Sequence, residues 1–120
     1  MLNSVLIEDD PATSFLLSLT MAESTKILAS FSDGKYAIEW NGWDQVDVCI
    51  VDYNMIGLNG EEVAKWLHEN HPHVKVVMTS GNFPRGTELK YAHVYIDKDD
   101  IHDHFKKHFG QISGDNDKEK

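Results

Sequence analysis

The chain contains one cysteine, three prolines and only 11 lysines and arginines among 120 residues, against 20 aspartates and glutamates. Each scarcity excludes something. The lone Cys49 permits no intrachain disulfide, and inside Val48-Cys49-Ile50-Val51 it reads as a small buried hydrophobe. No uncharged stretch approaches the ~18 residues of a membrane span, and the first basic residue is Lys26. The sequence therefore predicts neither a transmembrane helix nor a secretory signal, and a cytoplasmic protein with no membrane partner. The formal charge of -9, with no cluster of basic residues, argues against direct nucleic-acid contact, because phosphate binding needs grouped positive charge.

What is present suffices for one domain. With 41% hydrophobic and 26% charged residues the chain has enough apolar material for a core, and its length allows about two-thirds of its surface to be buried. Five runs rich in Val, Ile, Leu or aromatic residues read as strands: Ser4 to Glu8, Lys26 to Phe31, Asp47 to Asp52, Val74 to Thr79 and His93 to Asp97. Most are apolar along their length, as in parallel strands covered on both faces.

Helices are predicted between them. The first opens at Asp10-Pro11 and runs through Phe15, Leu16 and Leu19. The second follows Ser32-Asp33-Gly34, carries Tyr36, Ala37 and Trp40, and stops at Asn41-Gly42. The third covers Gly60 to Asn70, with Glu61 and Glu62 in its first turn, Val63, Trp66 and Leu67 inward, and His71-Pro72 as a stop. A last helix begins at Asp99-Asp100 and places Ile101, Phe105 and Phe109 on one face, with Lys106, Lys107 and His108 before Gly110. Where a fourth helix belongs, Gly81, Pro84 and Gly86 leave only Thr87 to Ala92 for a vestigial turn. The domain is expected over residues 1–112, with a polar, frayed tail at 113–120.

Alternation of strands and helices dictates right-handed crossovers and a parallel sheet, whose ligands bind beyond the carboxyl ends of the strands. Those ends carry Glu8-Asp9-Asp10, Asp52, Thr79-Ser80 and Asp97-Lys98. In the common strand order 2-1-3-4-5, the first and third strands are neighbours at the switch point, so Glu8, Asp9 and Asp52 crowd together. Like charges that close raise a pKa unless a cation joins them. Magnesium suits an all-oxygen site of carboxylates, waters and a phosphate oxygen, with Mn2+ as the alternative. A hydroxyl at Thr79 and an ammonium at Lys98 suit the remaining phosphoryl oxygens, so the crevice is predicted to serve phosphoryl transfer.

Four segments together carry a family likeness: Val5-Leu6-Ile7-Glu8-Asp9-Asp10-Pro11, Asp52 through Gly60, Val76-Val77-Met78-Thr79-Ser80, and Tyr95-Ile96-Asp97-Lys98. Over roughly Val5 to Phe109 the chain resembles the receiver domain of two-component response regulators, with the single-domain chemotaxis regulator as the familiar case. The resemblance implies an α/β, flavodoxin-like, doubly wound five-stranded parallel sheet of order 2-1-3-4-5, here with the fourth helix short or missing. It implies that Asp52 takes a phosphoryl group from a histidine of a sensor histidine kinase or phosphotransfer protein. By the same likeness, Asp9, Asp52 and the Asn54 backbone carbonyl ligate Mg2+, and Glu8 holds a metal-bound water. Thr79, Ser80 and Lys98 address the phosphoryl group, and Tyr95 is the switch aromatic. Asn54 and Gly81 tune dephosphorylation, and Ala12, Thr13 and Leu16 meet the kinase. Such a protein is a switch for a downstream protein target, not a metabolic enzyme, although it catalyses its own phosphorylation and dephosphorylation.

The chain departs from the family pattern at four points. Ile56 and Asp99 stand where proline is usual, which predicts a looser loop after Lys98. Glu8 replaces an aspartate, and the interval from Thr79 to Lys98 is short. Two other readings compete. A phosphorylation-independent pseudo-receiver would keep the fold and lose the chemistry, and a haloacid-dehalogenase-type phosphatase would need a second aspartate where Asn54 stands. His68, His71 and His73, or His104 and His108, read as titrating surface and not as a metal site. Trp40, Trp43 and Trp66 read as packing residues.

Overall fold

The computed structural model describes residues 1–83 and 89–107. Five strands, β1 (Leu2–Ile7), β2 (Thr25–Phe31), β3 (Val48–Asp52), β4 (Lys75–Ser80) and β5 (Val94–Asp97), form one parallel sheet of order β2-β1-β3-β4-β5. Four helices cover it: α1 (Pro11–Ala22), α2 (Gly34–Glu39), α3 (Gly60–Asn70) and α4 (Ile101–Phe105). Short 3-10 turns stand at Trp43–Gln45 and Lys98–Asp100.

The central strands explain the pattern. All five residues of β3 are buried, because it has a strand on each side and helices on both faces. Alternate residues feed two cores. Val5, Ile7, Cys49, Val51, Val76 and Met78 meet Ala37, Val63, Ala64 and Leu67 on one face. Leu6, Ile50, Val77 and Ile96 meet Leu17, Met21, Ile101 and Phe105 on the other. Cys49 is fully buried, and burial pushes its thiol far above the ordinary range, which keeps it an unreactive packing group.

Strand bounds shift by up to two residues from the sequence reading: β1 begins at Leu2, which pairs with Thr25, and ends before Glu8. Helix ends follow their caps. Asp10 accepts from the Thr13 backbone N–H at 2.9 Å, and Asn59 and Glu62 form a reciprocal capping box that starts α3. Leu17 and Met21 are the buried pair, while Phe15 and Leu16 are each 63% exposed and Leu19 is 53% exposed.

The described residues between β4 and β5, 81–83 and 89–93, include no helix. The expected turn over Thr87 to Ala92 is therefore absent at 89–92, and its first two residues lie outside the described ones. After Lys98 the chain is not loose, as the missing proline suggested. It winds into the 3-10 turn, where the Ile101 N–H donates to the Lys98 carbonyl, and passes straight into α4. His108, Phe109, Gly110 and the tail at 113–120 lie outside the described residues. Among the described residues no helix is long and apolar enough to cross a membrane.

Candidate functional site

Parallel pairing of β1 with β3 sets Ile7 beside Val51, so the next residues of both strands emerge together at the carboxyl edge. Glu8 and Asp52 are each only 2% exposed there, and Asp9 is half-buried. Carboxylate oxygens of Glu8, Asp9 and Asp52 all lie within 4.8 Å of one another. Gly60 makes room for the start of α3 behind them: its N–H donates to the Tyr53 carbonyl at 3.0 Å, and a Cβ there would stand 2.6 Å from the Asp52 carbonyl oxygen.

Lys98 follows β5 and reaches back across β4. Its ammonium lies 2.9 Å from Glu8 Oε1 and 3.1 Å from Asp52 Oδ2. Apart from that ammonium, neither Glu8 oxygen has a hydrogen-bond donor among the described residues. Burial and the adjoining Asp52 carboxylate push Glu8 up to about 7, against the opposing pull of Lys98. Burial would lower Lys98, but its hydrogen bonds to Glu8 and Asp52 outweigh that and raise it. Asp10, one residue further along, is lowered by its bonds from Thr13 and stays a cap.

The other predicted residues surround this core. Asp52 pairs with Thr79 across β3 and β4, and the Tyr53 N–H donates to the Thr79 carbonyl at 2.8 Å. Thr79 is fully buried, yet its hydroxyl has no hydrogen-bond partner among the described residues. The Asn54 N–H donates to Asp52 Oδ1 at 3.1 Å. Ser80 is buried, and its Oγ accepts from Asn54 Nδ2 at 2.8 Å and from the Asn82 N–H at 3.1 Å. Gly81 is exposed, and among the described residues a Cβ there would meet nothing within 4 Å. Tyr95 points away from the carboxylates: its hydroxyl donates to Glu61, and burial raises it. Glu61 is the residue that sequence reading missed, having placed it only as a first-turn charge on α3. Thr13 and Leu16 line a groove of about 420 Å³ between α1 and α4, closed by Lys98, Ile101 and His102, whereas Ala12 is exposed outside it.

The histidines gather no metal ligands among the described residues. His71 packs against Trp43 and Trp66, and His73 Nε2 lies 3.1 Å from the Trp43 carbonyl.

The acidic cluster fits a hard divalent cation. Its donors are all carboxylate oxygens, and Glu8 is buried with a second oxygen that nothing among the described residues satisfies.

A family model for the response regulator receiver domain matches residues 5–113. The chain belongs to this family. The receiver is similar to solved structures of the same fold, at identities that speak to the fold alone. One is the signal receiver domain of the response regulator NarL from Mycobacterium tuberculosis, with 20% identity, TM-score 0.76, and coverage of 94% of this chain and 96% of that one. Another is the response regulator TrrA from Thermotoga maritima in complex with Mg2+ and BeF, with 23% identity, TM-score 0.75, and coverage of 89% and 98%. A third is the complex of CheX with CheY, BeF3 and Mg2+ from Borrelia burgdorferi, with 20% identity, TM-score 0.73, and coverage of 88% and 87%. Among curated proteins no sequence matches.

Proposed function

We propose that this receiver accepts a phosphoryl group on Asp52 in a magnesium-dependent reaction, and that the modified protein changes what it binds. One observation carries the reading: the Asp52 carboxylate stands among Glu8 and Asp9 within metal-bridging distance and is paired with Lys98 at 3.1 Å.

Each residue has a task in that reading. Asp52 is the nucleophile: a carboxylate oxygen bonds to phosphorus as the bond from phosphorus to the donor's imidazole nitrogen breaks, and the imidazole leaves with the electron pair. The Asn54 N–H fixes the rotation of the Asp52 carboxylate through Oδ1. Lys98 neutralises charge on the transferred group, for which it is already poised between Glu8 and Asp52. Asp9, Asp52 and the Asn54 carbonyl would hold Mg2+, with Glu8 fixing one of its waters, and the cation would neutralise the phosphoryl oxygens. The buried Thr79 hydroxyl, lacking a partner now, gains an acceptor when a phosphoryl oxygen arrives beside its paired residue.

The donor is a phosphohistidine on a kinase or phosphotransfer helix. Helix α1 supports that partner: its 12 residues carry no charge, and Phe15, Leu16 and Leu19 present an apolar face beside the pocket. A phosphoryl group adds about -1.5 to -2 charges at the pocket, enough to bias a two-state binding surface.

The test is intact-mass spectrometry after incubation with Mg2+ and acetyl phosphate. One phosphoryl adduct is expected, absent for Asp52→Asn and in EDTA. No adduct in the wild type would favour the phosphorylation-independent pseudo-receiver.

A further inference from the structure

The chain has two Asn-Gly steps, Asn41-Gly42 and Asn59-Gly60, and the fold treats them oppositely. In such a step the glycine nitrogen can attack the asparagine side chain, because no Cβ on the second residue screens it. Asn59 is restrained against this. Its Oδ1 accepts the Glu62 N–H at 2.9 Å, and its own N–H donates to Glu62 Oε1 at 3.1 Å. The nitrogen that would attack is occupied, donating to the Tyr53 carbonyl at 3.0 Å. Gly60 is also buried, with the Asp52 carbonyl oxygen 2.6 Å from where a Cβ would stand, so the backbone has no room to turn and close a ring.

Asn41 has none of these restraints. It is exposed, between the end of α2 and the 3-10 turn at Trp43–Gln45. Among the described residues neither its side chain nor the Gly42 N–H has a hydrogen-bond partner. The turn is fixed only on the far side, where the Gly42 carbonyl accepts the Gln45 N–H at 3.2 Å. Packing also favours glycine here: a Cβ on Gly42 would fall onto the indole of Trp40, which is itself wedged between Phe31 and Trp43. The aromatic cluster therefore keeps at position 42 the residue that leaves Asn41 open to attack.

We propose that Asn41 is a self-modification site, at which the folded chain deamidates while Asn59 is spared. The Gly42 nitrogen gives its proton to solvent base and bonds to Asn41 Cγ. The Cγ–Nδ2 bond breaks, and ammonia leaves with the electron pair and a proton from water. The cyclic imide then takes up water at either carbonyl, giving aspartate or, where the backbone carbonyl opens, isoaspartate. Water is the sole co-reactant, and nothing in the step involves Asp52. Both products add a negative charge next to Trp40, and isoaspartate lengthens the main chain by one carbon ahead of Gly42.

The experiment is peptide mapping by mass spectrometry after the full chain has been incubated in warm, mildly alkaline buffer, both folded and in guanidinium chloride. In the folded chain, peptides spanning Asn41 are expected to gain the mass difference between an amide and an acid, in aspartate and isoaspartate forms. Their conversion is expected to be about 30-fold faster than at Asn59, which must first open its helix cap and the Gly60 bond. In guanidinium chloride the two rates are expected to converge, since both restraints are gone. Asn41→Gln is expected to abolish conversion at position 41 and leave Asn59 as it was. No mass gain at Asn41, or equal rates at the two asparagines in the folded chain, would overturn the site. A ratio that persists undiminished in guanidinium chloride would trace it to the neighbouring residues in the sequence, and would overturn the shielding of Asn59 by the fold.

Discussion

Asn54 Nδ2 donates to Ser80 Oγ at 2.8 Å, so the side chain two residues past Asp52 is tied to the end of the neighbouring strand. On the proposed function, the bond would hold the Asn54 carboxamide where it orders a water that attacks the acyl phosphate. A neutral hydrogen bond of this kind is worth about 1 kcal/mol, or about fivefold in a rate. Ser80→Ala is therefore expected to lengthen the phosphoryl lifetime about fivefold, and the double variant with Asn54→Ala to add little to Asn54→Ala alone. Decay of the adduct followed by mass spectrometry checks both; additive effects would show that Ser80 does not act through Asn54.

Glu8 gives the metal-free protein a pH dependence of definite sign. Its folded pKa, about 7, lies above the unfolded value of 4.5, so folding favours its protonated form. The stability it contributes is complete below about 4.5 and is lost as pH rises to about 7. Urea midpoints in EDTA are expected to fall between pH 5 and pH 7.5 by more in the wild type than in Glu8→Gln. Mg2+ requires the ionised carboxylate, so its affinity should rise across the same window and its binding release a proton.

Lys98 is the cation that the cluster has in the absence of metal. Removing one partner of a buried pair costs about 3 to 5 kcal/mol, and less here because the Lys98 side chain is 29% exposed, so Lys98→Met should lose about 2 kcal/mol without Mg2+. Mg2+ should then stabilise the variant more than it stabilises the wild type. Denaturant titrations with and without metal measure the difference, and equal shifts in the two proteins would contradict it.

Leu16 separates docking from chemistry. At 63% exposed it supports little of the core, so Leu16→Glu should leave stability within about 0.5 kcal/mol. Labelling by acetyl phosphate should be unchanged, while transfer from a phosphorylated histidine phosphotransfer domain that labels the wild type should slow. Equal slowing with both donors would remove α1 from the docking surface.

The parts legible in the sequence were those fixed by local pattern. Strand β3 reads as Val-Cys-Ile-Val-Asp because burial on both faces leaves no alternation to interpret, and first-turn Glu61 and Glu62 with the His71-Pro72 stop bound α3 at Gly60 and Asn70. The carboxylate cluster follows from strand order alone, since parallel strands end at the same edge. The inward face of α1 was not legible: with Phe15, Leu16, Leu17, Leu19 and Met21 spread around the helix, periodicity cannot choose Leu17 and Met21. Nor was the role of Glu61, whose partners lie 29 to 34 residues away in a segment with no periodic pattern.

Two of the tryptophans stand toward the end of the sheet opposite to this chemistry. Trp43 precedes β3, Trp66 sits in the second half of α3, and Trp40, Trp43 and Trp66 pack in series with ring centroids 5.5 and 6.2 Å apart. Trp43 is 1% exposed. Trp40 joins this series to the carboxylate edge, because it packs against Phe31 at 5.7 Å and the Phe31 carbonyl accepts from the Glu8 N–H, so the emission of the chain senses both its folded state and events beside Glu8.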